Sequence, residues 1–236
     1  MRVLRGRAAD IAADREHSTE LSRWTADTGR PGVRVWRPHR QVAFGRRDTH
    51  EPGYENARTV AEDRGFPPVE RGSGGRAVAY TGTTVAFALT EAIPDLRSGI
   101  ETRYDRTIQT VQRVLWRLGV PVQRGEPAQS FCPGNHSLHW QGKIVGLAQR
   151  VRTDVATVGG IVIVRDHEPI GDVLSAVYEA LDIDFDPTTV GSLDKAGGPS
   201  DPDRVIEALE AGFREAIGET NGAVEVVTVD APDHGG

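Results

Sequence analysis

Two apolar runs, Ile144 to Val151 and Val155 to Val164, are separated only by the polar triplet Arg152-Thr153-Asp154. Extended runs joined by so short a link turn back on each other, so the spacing predicts a β-hairpin. Upstream, Val85, Phe87 and Leu89 alternate with Thr84, Ala86 and Ala88. That is the two-residue period of a strand packed on one side. Val33, Val35 and Val42 to Phe44 read as short strands around a polar turn, and Val224, Val226, Val227 and Val229 as a last edge strand.

Helical signals lie between these runs. A first helix is expected from about Asp10 to Thr28, ended by Gly29, Pro31 and Gly32, and a second over Tyr54 to Arg64. Tyr104, Ile108, Val111, Leu115 and Leu118 fall on one helical stripe, closed by Gly119 and Pro121. Pro169 to Leu181 predicts another helix, and Ile206, Leu209, Phe213 and Ile217 a further one, after a Gly-, Pro- and Asp-rich loop over Asp184 to Asp203. Hairpin-like strand runs between helices imply an α+β fold, with a largely antiparallel or mixed sheet flanked by helices. We expect a single domain over 1–236, with a small C-terminal element after about 190 as the one candidate division.

Composition narrows the function. The chain carries 34 acidic and 28 basic side chains, a net charge of -6, and has no long basic block, which argues against nucleic acid as a partner. No stretch approaches the roughly 18 apolar residues of a membrane span. Met1 to Asp10 lacks the apolar core of a secretory signal. Cys132 is the only cysteine, so an internal disulfide framework is excluded, and together these features suggest the cytoplasm. Lysine occurs only at Lys143 and Lys195.

Three segments could carry chemistry. In Arg71-Gly72-Ser73-Gly74-Gly75-Arg76-Ala77, Gly72, Gly74 and Ala77 fit the G-x-G-x-x-A dinucleotide pattern. That pattern requires a following helix, whereas strand-like residues with Thr81, Gly82, Thr83 and Thr84 follow here. With no G-K-[ST] either, a tight glycine turn remains: a plain hairpin turn, or one whose N–H groups hold an anion or carboxyl group beside Arg71 and Arg76. In Ser130-Phe131-Cys132-Pro133-Gly134, the Pro-Gly turn places the thiol on a loop or strand edge. There it could be inert packing, or a nucleophile aided by His136 or His139. Zinc held by Cys132, His136 and His139 is disfavoured, because a strand would put the two imidazoles on opposite faces. Lys143 opens an apolar strand between Gly142 and Gly146, as a turn lysine facing water or as an ammonium aimed at a ligand.

Together these segments resemble the biotin/lipoate protein ligase superfamily over about residues 30 to 165. The resemblance rests on Val42 to Asp48, on Arg71, Ser73, Gly74, Gly75, Ala77 and Val78, and on Gly142, Lys143, Ile144, Gly146, Ala148 and Gln149. Cys132, Pro133, Gly134 and Leu138 are most similar to the cysteine-dependent lipoyl/octanoyl amidotransferases, relatives in fold of lipoate-protein ligase A. Tyr80-Thr81 stands where many members have His-Asp, and the amidotransferase subgroup also lacks that His.

The resemblance implies a catalytic domain like those of class II aminoacyl-tRNA synthetases and biotin ligases. It also implies transfer of an octanoyl or lipoyl group to a lysine of lipoyl-carrier domains through a Cys132 thioester. Lys143 would orient the acyl carbonyl and favour the thiolate. Arg71, Ser73, Gly74, Gly75, Ala77, Val78, Gly146 and Ala148 would bind substrate, and Val78 with Val85 to Leu89 would line an apolar tunnel. This route needs no metal or cofactor. Its partners would be an octanoyl or lipoyl donor, the glycine cleavage H protein and the acyltransferase subunits of 2-oxoacid dehydrogenases. Two alternatives are an ATP- and magnesium-dependent lipoate ligase using Lys143 to bind a lipoyl-adenylate, and a non-catalytic lipoyl-binding module.

Overall fold

The computed structural model describes residues 1–96, 98–218 and 224–229. Its elements in chain order are β1 (Arg2–Arg5), α1 (Ile11–Thr28), β2 (Gly32–Trp36), β3 (Gln41–Phe44), α2 (Tyr54–Asp63), β4 (Pro68–Glu70), β5 (Val78–Tyr80) and β6 (Val85–Ala92). They continue as α3 (Ile100–Arg117), β7 (Gln123–Arg124), β8 (Ser137–His139), β9 (Lys143–Val151), β10 (Val155–Val162), α4 (His167–Ala180), α5 (Pro202–Ile217) and β11 (Glu225–Thr228). Asp10 starts α1 by accepting a hydrogen bond from the Ala13 N–H, and Gly29 ends it at φ 68°.

The main sheet has eight strands in the order β11-β1-β2-β6-β10-β9-β8-β7. The expected hairpin is its centre: β9 and β10 pair antiparallel, with Val162 opposite Val145. β6 pairs with the other edge of β10, and β2 with β6, both antiparallel. β1 runs parallel to both β2 and β11, so the sheet is mixed. The two expected strands around residues 33–44 part company, because β3 leaves to form a separate three-stranded sheet, β4-β3-β5.

Two apolar layers hold this arrangement. Val85 and Phe87 on β6 pack with Ile108, Val111 and Leu115 of α3 and Leu209 and Phe213 of α5. The small sheet, through Val42, Phe44 and Val78, packs with α2 and α4. Helix α1 covers the opposite face of the main sheet, where Thr25 and Ser22 meet Thr90 and Thr157 through hydroxyl contacts of 2.6 and 3.1 Å. Beyond α1 that face lies open between the two sheets, and there the cavity forms. Among the described residues no helix is long and apolar enough to cross a membrane.

Candidate active site

The register of β6, β10 and β9 sets the floor of the cavity. Ala86, Ile161 and Gly146 line up across the three strands, as do Ala88, Gly159 and Ala148, and then Thr90, Thr157 and Arg150. The middle row carries almost no side chain, so a trough runs between bulkier neighbours. Trp36, Val78, Tyr80 and Tyr104 add walls, and the cavity measures about 620 Å³. This corrects the expected tunnel lining. Val85 and Leu89 point into the α3–α5 layer, and the face of β6 that meets the cavity carries Ala86 and Ala88. Phe87 reaches the cavity edge from the far side.

Cys132 lies at the head of this trough, in the loop that Pro133 and Gly134 close. Its φ of 42° is unusual for a side chain other than glycine. Two contacts fix its backbone. The buried phenol of Tyr178 accepts the Cys132 N–H at 2.6 Å and donates to the Ala77 carbonyl at 3.1 Å. Burial raises the Tyr178 pKa well above its ordinary value, with the nearby Cys132 adding to the rise, so the phenol stays neutral and can donate. The Lys143 ammonium donates to the Cys132 carbonyl at 2.9 Å.

The sulfur is met by cationic and backbone donors. Cys132 Sγ accepts from Arg71 Nη2 at 3.2 Å and from the Arg76 N–H at 3.4 Å. Arg71 Nη2 also donates to the Arg76 carbonyl at 2.6 Å, which ties the guanidinium to the glycine turn. Burial works against the Arg71 charge, yet Cys132 and Tyr80 outweigh it and leave its pKa raised. Gly75, at φ 94°, completes the fit: a Cβ there would stand 2.7 Å from Sγ and 2.9 Å from Arg71 Nη2. Arg76 turns outward to Glu51 at 2.6 Å and to buried Asp48 at 3.4 Å. Asp48 in turn accepts the Gly45 N–H at 2.8 Å, so the motif after β3 anchors the glycine turn.

Lys143 is 1% exposed, and its ammonium bonds Glu126 at 2.8 Å and the Phe131 carbonyl at 2.9 Å. Gly146 makes room for it, since a Cβ there would lie 3.3 Å from the Lys143 stem, while the preceding Gly142, at φ 119°, lets the chain pass close to Gly191. Lysine therefore faces the cavity rather than water, but its charge holds the loop carbonyls while Arg71 holds the sulfur.

Of the remaining expected residues, Ser73, Gly74, Val78, Gly146 and Ala148 line the cavity with Cys132, Lys143, Arg71 and Gly75. Ala77 does not: its side chain is fully buried against α4, and only its carbonyl serves the site through Tyr178. The imidazoles stand away from the thiol's donors. His136 stacks on Tyr104 at 3.7 Å between ring centres, and His139 packs near Gly125. Among the described residues no three His, Cys, Asp or Glu side chains are grouped to hold a metal ion. Glu126 and Tyr178 are the functional neighbours that the sequence did not flag. Their signals are slight: a carboxylate just before Pro127, and an aromatic on the inner stripe of α4.

The cavity thus joins a single thiol, clamped by arginine, to a trough floored with glycine and alanine. The architecture is shared with solved lipoate ligases. Lipoate-protein ligase A bound with ATP superposes with a TM-score of 0.73 at 18% identity, covering 97% of this chain and 88% of that one. Residues 13–214 match the lipoyl protein ligase A/B catalytic domain, and the chain belongs to that family. It is 33% identical over 128 residues to an octanoyl-[GcvH]:protein N-octanoyltransferase of Exiguobacterium sibiricum, covering 52% of this chain and 46% of that protein. It is 31% identical over 176 residues to octanoyltransferase LipM of Kyrpidia tusciae, covering 66% and 64%. The chain thus spans less than two thirds of the length of either relative.

Proposed function

We propose that this chain is a cytoplasmic acyltransferase that moves an octanoyl or lipoyl group onto a lysine of lipoyl-carrier domains through a thioester on Cys132. The observation that supports this most is the 3.2 Å contact between Arg71 and Cys132 Sγ at the head of the trough. A guanidinium there stabilises negative charge on sulfur, the form that attacks a carbonyl.

In the first step the thiolate adds to the donor's acyl carbonyl. A sulfur–carbon bond forms, and the donor's own thiol or amine departs with the electron pair and takes up a proton. In the second step the neutral ε-amine of a carrier lysine attacks the thioester. A carbon–nitrogen bond forms, the charge returns to Cys132 Sγ beside Arg71, and the amine's extra proton passes to solvent. Lys143, bonded to the Phe131 and Cys132 carbonyls, keeps the loop in the shape that presents the thiol to the trough. Ala88, Gly159 and Ala148 accept the chain, and burial supplies about 0.8 kcal/mol per methylene. No metal or nucleotide enters this route. Relatives named for GcvH and for octanoyl transfer support the glycine cleavage H protein as a partner, and 2-oxoacid dehydrogenase acyltransferase subunits would offer the same kind of lysine.

The test is intact mass after incubation with octanoyl-carrier protein and, separately, with lipoate, ATP and magnesium. A gain of one acyl group that Cys132→Ser abolishes supports the thioester. Labelling of a carrier domain only with ATP and magnesium would assign a ligase instead, and no transfer in either mixture a binding module.

A further inference from the structure

The mouth of the cavity carries charge that neither the trough nor the thiol uses. Arg15, Arg46, Arg47, Arg150 and Arg152 are all exposed. Arg15, Arg47 and Arg150 line the opening. Arg150 lies over the glycine turn, its guanidinium 2.6 Å from where a Cβ on Gly72 would be. Arg15 donates to the Glu70 carbonyl beside it. Arg46 directly precedes Arg47, and Arg152 follows Arg150 by two residues just past the end of β9, so both flank the lining arginines. Burial, and then the like charges of Arg152, Arg46 and Arg15, depress the Arg150 pKa.

Among the described residues none of the five has a carboxylate partner. The two acids that line the cavity are engaged elsewhere. Asp14 is paired with Arg34 at 2.6 Å, and Glu70 accepts from the Tyr54 hydroxyl at 2.9 Å and faces Arg58 at 3.6 Å. Unpaired like charges repel one another, and here they collect on a chain whose net charge is -6.

A carrier domain is too large to enter the trough, so its body must rest on this rim while its arm or lysine reaches Cys132. We infer that the arginine rim is the docking surface for the acidic face of a carrier domain, one that presents carboxylates around its modified lysine or acyl arm. This inference rests on the proposed acyl transfer and adds to it the face and the charge of the partner. Complementary charge of this kind speeds encounter and selects partners, and it weakens with salt.

Charge reversal at Arg46 and Arg152, which lie outside the cavity lining, tests it in the full chain. Binding of an apo lipoyl-carrier domain of net negative charge is measured by calorimetry at several salt concentrations. In parallel, acylation of Cys132 is followed with S-octanoyl-N-acetylcysteamine, which bears no charge, and with octanoyl-CoA, which bears phosphates. The R46E/R152E pair should weaken carrier binding at least tenfold at low salt, flatten its salt dependence, and leave acylation by the uncharged thioester within twofold. R46Q/R152Q should weaken binding by a smaller factor. Carrier affinity within twofold of the parent overturns the inference, as does a loss confined to octanoyl-CoA, which would make the rim a phosphate site. A fall in every assay also overturns it. If Cys132 takes no acyl group while carrier binding still depends on the two arginines, docking stands and the transfer chemistry falls.

Discussion

Cys132 is held at φ 42° by Tyr178 on its N–H and Lys143 on its carbonyl. Such a conformation costs a non-glycine residue on the order of 1–3 kcal/mol, and the surrounding bonds offset it. The result is a sulfur aimed at Arg71. Removing that charge should slow the thiol: Arg71→Gln is expected to reduce alkylation of Cys132 by iodoacetamide at pH 7 by about tenfold, the kinetic equivalent of ~1.4 kcal/mol. An unchanged alkylation rate would mean that the guanidinium does not support the sulfur's charge. Cys132, Lys143 and Arg71 were legible in the sequence because each sits in a motif with glycine or proline neighbours. The division of labour among them was not. Glu126 is 17 residues from Lys143 in the chain, and nothing local marks it as the ammonium's partner. Without Glu126 in view, Lys143 reads as the cation beside the sulfur, a place the fold gives to Arg71.

At the scale of the element, the trough depends on which face of each strand carries small residues. The period of β6 and the β9–β10 hairpin were legible because alternation survives in the sequence. Which face meets the cavity is not, because alternation marks two faces, and only the packing of Val85 and Phe87 against α3 and α5 assigns the small residues to the open one. Filling the trough should shorten the chain it accepts. Ala88→Leu is expected to cut Cys132 acylation by octanoyl thioesters at least tenfold while leaving butanoyl within threefold, a comparison of kcat/KM across chain lengths. Two adjacent glycines separate floor from core. A Cβ on Gly159 would meet only the Phe87 carbonyl at 3.5 Å, an ordinary contact. A Cβ on Gly160 would stand 2.2 Å from the ring of Phe87, which Phe213 and its neighbours hold in place. Gly160→Ala should therefore cost about 1–3 kcal/mol by overpacking, and Gly159→Ala under about 1 kcal/mol, both read from urea unfolding.

Over the whole molecule, the cavity exists because the chain builds two sheets rather than one. Expecting an α+β mixed sheet captured the main layer, but β3, β4 and β5 were not separable from it by pattern alone. Their pairing is decided by packing on α2 and α4, not by local period. Strand β1 carries no sequence signal for a related reason. Four residues with one period of alternation are too few to signal a strand, and a partner 223 residues away, as in the Arg2–Glu225 pair, leaves no local trace. The roof of the cavity is fixed by a buried ion pair. Asp14 on α1 meets Arg34 on β2 at 2.6 Å, and Arg34 also donates to the Asp14 carbonyl, to Ser18 and to the Gly6 carbonyl. Burial lowers the Arg34 pKa while Asp14 opposes the drop. Asp14→Ala would leave that guanidinium buried without its counter-charge, and should cost about 3–5 kcal/mol of unfolding free energy. A loss under about 1 kcal/mol would show that α1 is held by its apolar contacts instead.

All of this converges on Cys132 as a covalent waypoint, which a single-turnover chase tests most directly. The octanoylated protein is isolated, mixed with excess apo carrier domain, and quenched over time for intact mass of both partners. The adduct should leave Cys132 and appear on the carrier lysine with one rate constant, at least as fast as steady-state turnover. Cys132→Ser should form no adduct and transfer nothing. Transfer to the carrier that proceeds while the Cys132 adduct persists, or that survives in Cys132→Ser, would contradict the account.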